Sequence, residues 1–213
     1  MIKHIPTFAL VAIGSYFIPS GVGIARFKTC SLNIKLVIVF CCFMCSEVVV
    51  ELFLSLNHIN NIFLSNLSFL VEPAFLSVIY IFSVEKKRTR NLLGGLAVLF
   101  VVVWLIDKML YENPQELNNP MAAASRIFII AISIFVLHSI MKNTDRSLVD
   151  DPIFWISTGW IIYSAGVFLV FGLSEELMKA GLQYFVAAWY INWTLLILSN
   201  LMFTKGLLCK VKR

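Results

Sequence analysis

Seven continuous apolar runs leave this chain few folds to choose from. They cover residues 6–24, 34–56, 59–83, 92–110, 120–141, 152–173 and 182–203. A hydrocarbon core of roughly 30 Å is crossed by about 20 helical residues. Within lipid, backbone amides must be satisfied internally, so only helices and closed barrels span it. A barrel would show alternating polarity in strands of about ten residues, and these runs are unbroken and longer. Hydrophobic residues make up 60% of the chain and charged residues 14%, against roughly 45–50% and about 25% in soluble domains. The expected fold is an all-α membrane protein, one domain of 213 residues folded as a bundle of seven transmembrane helices.

The basic residues orient that bundle. Arg26, Lys28 and Lys35 follow the first run; Lys86, Lys87, Arg88 and Arg90 follow the third; Lys142 and Arg146 follow the fifth; Lys205, Lys210, Lys212 and Arg213 follow the seventh. The other side carries Lys3, Lys108 and Lys179, and Arg126 lies inside the fifth run. Cytoplasmic loops are enriched in Lys and Arg. The pattern predicts an odd number of spans, an N-terminus outside, a cytoplasmic C-terminus and a place in a bacterial inner membrane. The net charge of +5 is therefore a topology signal and does not call for a nucleic-acid partner. The first run lacks a small-residue cleavage site and is followed by Arg26 and Lys28, so it reads as an uncleaved helix. Asn119-Pro120 and Asp151-Pro152 each read as an N-cap followed by proline at the first helical position.

Ionisable groups inside a membrane are costly and mark candidate sites. Glu47 and Glu51 stand four residues apart in the second run and share a helix face. The third run carries Asn61, Asn66 and Glu72, with Pro73 removing a backbone donor. The fifth contributes Arg126 and His138, the sixth Tyr163, and the seventh Trp189, Asn192, Trp193 and Asn200. Depth places Glu47, Glu51, Asn66, Glu72, Arg126, Tyr163 and Asn192 in one layer open toward the outside. That layer would take a proton, a cation or a small polar ligand. The competing reading makes it structural glue, with Glu47 or Glu51 paired to Arg126.

Other chemistries find less support. Cys41, Cys42 and Cys45 pattern as small apolar packers rather than soft-metal ligands. His4, His58 and His138 fall in different regions, which disfavours a zinc hydrolase. There is no lysine in the body of the seventh run, no Gly-rich phosphate loop and no Gly-x-Ser-x-Gly elbow. No cofactor and no catalytic residue are expected. Gly159 and Gly166 read as close-packing positions.

Three passages carry a resemblance. Asn61 to Asn66 leads into Leu70-Val-Glu72-Pro-Ala-Phe-Leu76; Asp151-Pro-Ile-Phe-Trp155 continues to Tyr163-Ser-Ala-Gly166; Trp189-Tyr-Ile-Asn192-Trp runs on to Ser199-Asn200. Together they resemble a group of small bacterial seven-helix membrane proteins of unknown function, some accompanying sensor histidine kinases. The resemblance implies a sensory role with a signalling partner and assigns no catalytic residue. It also implies a histidine in the stretch where this chain has Asn192. The alternative is a small transporter of the three-plus-one-plus-three type, resembling the SWEET sugar transporters through Asn66 and Asn192 but lacking their proline tetrad. An intramembrane lipid hydrolase stands third.

Overall fold

The computed structural model describes residues 6–110, 118–143 and 147–209. Lys3, His4, Arg146, Lys210, Lys212 and Arg213, which enter the arguments above, lie outside them. The described residues are helical apart from short connections. The helices are α1 (Thr7–Gly14), α2 (Phe17–Arg26), α3 (Leu32–Leu56), α4 (Ile62–Ser83), α5 (Lys87–Leu110), α6 (Asn119–Asn143), α7 (Pro152–Gly172), α8 (Ser174–Ala180) and α9 (Leu182–Leu208). With α1 and α2 taken as one unit, Thr7–Thr29, seven helices are long and apolar enough to cross a membrane.

Side-chain contacts fix the order of neighbours. Asn33 at the start of α3 reaches Ser83 at the end of α4 (3.5 Å), so these helices run antiparallel. α4 and α6 run side by side in the same direction: the Asn118 amide donates to Asn66 Oδ1 (3.1 Å), and Tyr80 donates to Ser133 (2.9 Å). Arg26 at the end of α2 donates to the Leu207 carbonyl near the end of α9. α9 returns along α7, where a Cβ on Gly206 would lie 2.9 Å from the Pro152 carbonyl. This alternation gathers Arg26, Lys28, Lys35, Lys86, Lys87, Arg88, Arg90, Lys142 and Lys205 at one end, called here the basic end; Lys108 and Lys179 sit at the opposite end.

Packing is tightest along the α7–α9 seam. A Cβ on Gly159 would stand 2.6 Å from the Phe203 ring and 3.1 Å from the Ser199 carbonyl, so only glycine admits α9 this closely. The apolar core joins Ile34, Ile38 and Phe40 of α3, Leu76, Ile79 and Tyr80 of α4, Ile129 and Val136 of α6, and Ile156 and Trp160 of α7. By contrast α5 lies at the edge, with Val98 65%, Leu99 59% and Met109 83% exposed.

Four details depart from the sequence reading. The first span tightens locally at Ser15 and Tyr16, which keep helical backbone angles; the Ser15 hydroxyl bonds the Ala12 carbonyl (2.6 Å) and accepts from Asn200 Nδ2 (2.7 Å). Pro19 has no N–H to offer the Ser15 carbonyl, and the Ile18 amide takes that oxygen instead (3.2 Å). The cap of α6 is Asn118 rather than Asn119: its Oδ1 accepts from the Met121 amide (2.9 Å). α5 starts at Lys87 and α9 runs to Leu208, both beyond the apolar limits, because hydropathy marks lipid-compatible length and not the last hydrogen-bonded turn. The short α8 also had no hydropathy signal. The Asp151 cap is as expected, accepting from the Ile153 amide (2.8 Å), with Pro152 at the first position.

Candidate functional site

The polar residues of α3 and α4 face each other as a ladder. Asn61, Ser65, Ser68 and Glu72 recur at helical spacing and share one face of α4. The Ser65 hydroxyl donates to Glu51 Oε1 (2.9 Å), and Asn61 Nδ2 donates to the Glu51 carbonyl (3.4 Å). One turn nearer the basic end, the Ser68 hydroxyl donates to Glu47 Oε1 and also bonds the Leu64 carbonyl (2.9 Å). Serine serves here because its short side chain bonds its own backbone and a neighbouring helix at once.

At the next level Glu72 meets α6 instead of α3. Its Oε2 accepts from Arg126 Nη1, and both side chains are 2% exposed. The partner of Arg126 is thus Glu72, neither Glu47 nor Glu51 as the structural-glue reading had it. The parallel register of α4 and α6 puts residue 72 level with 126, while the acids of α3 are spent on Ser65 and Ser68. Glu47 still lies within the electrostatic field of Glu72, Glu51 and Arg126. The guanidinium stacks near two rings, with the Tyr163 centroid at 5.3 Å and Phe69 at 5.8 Å. Tyr163 and Tyr16 of the first span line a common cavity.

The seven candidates therefore fall into three groups. Glu72, Arg126 and Tyr163 touch, with Glu47 beside them. Glu51 and Asn66 sit further toward the opposite end, Asn66 holding the start of α6 through Asn118. Asn192 is on the α7–α9 seam, where a Cβ on Gly166 would come within 2.9 Å of its Oδ1. Gly166 is three residues from Tyr163, less than one helical turn. Sequence reasoning passed over Ser65, Ser68, Phe69, Tyr16 and Asn118. For the two serines the signal was present, as the polar face leading to Glu72.

Several buried polar atoms in this region have no hydrogen-bond partner among the described residues: Glu47 Oε2, Arg126 Nε, Ser125 Oγ, Ser164 Oγ and Asn192 Oδ1. Four further buried polar atoms without a partner among the described residues lie outside this layer, Trp104 Nε1, Asn119 Oδ1, Ser157 Oγ and Asn200 Oδ1. An aromatic row closes the layer toward the opposite end: Phe69 meets Phe171 (6.2 Å), Phe171 meets Trp189 (5.8 Å), and Trp189 meets Trp193 (5.9 Å).

Toward the basic end, a cavity of about 20 Å³ adjoins the layer and is lined from α2, α3, α4, α7 and α9. Phe40, Met44, Trp160 and Phe203 form its apolar walls, with Tyr16, Tyr163 and Asn200 among its lining residues. That volume holds about one water. Cys41 is buried in the core with Met44, and Cys42 and Cys45 pack against it. Among the described residues, no group of three or more His, Cys, Asp or Glu is placed to hold a metal ion. Comparison with family models, with curated proteins and with solved structures finds no match.

Proposed function

We propose that this chain is a multi-pass membrane protein of the bacterial inner membrane, N-terminus outside, that binds a small polar ligand in its charged layer and relays occupancy to a signalling partner. Lipid is the solvent that suits α5, whose exposed valines, leucines and methionine would form a large apolar patch in water. The gathering of basic residues at one end fits a cytoplasmic face.

The observation that carries the ligand-binding reading is the Glu72–Arg126 pair with its unpartnered neighbours. A pair serving only as glue would be expected to come with its remaining lone pairs and protons satisfied, since an incomplete buried network is costly. Here Arg126 Nε and Glu47 Oε2 stand open. A ligand that engages them in one arrangement of α4 and α6 and not in another would shift the bundle by that difference in affinity. The test is thermal unfolding of the detergent-purified protein across ions, sugars, amino acids and amines. A ligand at 100 times its dissociation constant stabilises by about 2.7 kcal/mol. The reading expects at least one such ligand, with its effect abolished in Glu72→Gln. A flat panel would end it.

The transporter alternative draws no support from the first span, whose backbone stays helical through Ser15 and Tyr16. The Asn66–Asn192 argument for that alternative is weakened, because Asn66 accepts from the Asn118 amide. Solute flux in proteoliposomes separates the two readings.

A further inference from the structure

Two rungs of the α3–α4 ladder differ in the number of protons they need. At Glu51 the count closes: the Ser65 hydroxyl donates its one proton to Oε1 (2.9 Å), and Glu51 is only partly buried. At Glu47 it does not close. The Ser68 hydroxyl lies against both Glu47 Oε1 and the Leu64 carbonyl (2.9 Å). A hydroxyl has one proton to give, and a carbonyl or an ionised carboxylate has none. With Glu47 ionised, one of these two contacts lacks a proton. With a proton on Glu47 Oε1, both become hydrogen bonds: Glu47 donates to Ser68 Oγ, and Ser68 donates to the Leu64 carbonyl.

Charge and burial point the same way. Glu47 is 8% exposed, and its Oε2 has no partner among the described residues. The titratable groups whose fields reach it are Glu51 on α3, Glu72 on α4 and Arg126 on α6, with Tyr16 of the first span and Tyr163 of α7. Arg126 is the one cation among them, and its Nη1 is held by Glu72. An ionised Glu47 would be a buried charge beside two other acids, without a cation of its own, which is strongly unfavourable. A neutral Glu47 removes that charge, and a neutral oxygen left without a donor costs less than a charged one.

We propose that Glu47 is a proton-binding site inside the bundle, its proton held between Oε1 and Ser68 Oγ, while Glu51 and Glu72 stay ionised. The excess negative charge of the layer then belongs to Glu51 at the partly buried end of the ladder. Gain or loss of one proton at Glu47 switches the charge beside the Glu72–Arg126 pair. This holds whether or not a solute binds in the layer.

The test is infrared spectroscopy of the full chain at neutral pH, in a detergent without ester groups. An un-ionised carboxyl shows a carbonyl stretch that carboxylates lack, and that band moves to lower frequency in D2O. The proposal expects this band in the unaltered chain. Glu47→Gln should remove it, and Glu51→Gln should leave it in place. Should Glu47→Gln not fold, Ser68→Ala decides the same point. Without the hydroxyl that takes its proton, the Glu47 carboxyl should absorb at higher frequency, and an unmoved band would put the proton elsewhere and overturn the proposal. A spectrum without the band at neutral pH, or a band that survives Glu47→Gln, would overturn it too.

Discussion

Tyr163 sits between two regions that bury their residues for different reasons. On its basic side, Trp160 packs against Phe40 at 5.3 Å and Phe203 at 5.5 Å, and Gly159 lets α9 come close enough to complete the stack. On its other side, Glu72, Arg126 and Glu47 occupy a layer just as buried, with several atoms unsatisfied. In the aromatic region close contact is the main gain, although Ser157 Oγ and Asn200 Oδ1 also lack partners among the described residues there. In the charged layer burial is a cost, only partly offset by one ion pair.

The largest expected effects lie on either side of that boundary and look alike until ligand is added. Arg126→Ala leaves Glu72 buried and alone and should cost about 3–5 kcal/mol. Trp160→Ala empties the aromatic stack and should cost about 3–5 kcal/mol. Denaturant unfolding in detergent measures both. The difference appears in the ligand response, which the tryptophan variant should keep and the arginine variant lose. Equal loss in both would erase the functional boundary at Tyr163.

A smaller effect sharpens the packing side. Gly159→Ala places a methyl against Phe203 and should cost about 1–3 kcal/mol by overpacking, despite the better helix propensity of alanine. A neutral or stabilising result in the same unfolding assay would mean that the seam is looser than described. Smaller still, Asp151→Ala removes the cap on Ile153 at the basic end and should cost about 1 kcal/mol, without any change in ligand response.

The helices were legible because each is a long apolar run, which hydropathy reports directly. The site was legible in part for the complementary reason: Glu47, Glu72 and Arg126 are conspicuous where charge is expensive. Pairing was not. Whether Arg126 meets α3 or α4 depends on which helices run side by side, and no local property of either run encodes that. The tightened turn in the first span was hidden because Gly14, Ser15 and Pro19 are all tolerated within membrane helices. The hydrogen bond that Asn200 donates to Ser15, 185 residues away in sequence, marks it in space. Asn118 against Asn119 is a matter of one residue at a helix start, where sequence signals are least sharp.

The central claim is that the charged layer exists for binding and not for cohesion. The double variant Glu72→Leu with Arg126→Met tests it most directly, because apolar replacement of a buried ion pair is often neutral or stabilising by about 1–4 kcal/mol. The account predicts a protein at least as stable as the original in denaturant unfolding that no longer responds to the ligand found in the panel. A double variant that is several kcal/mol less stable, or one that keeps the full ligand response, would contradict it.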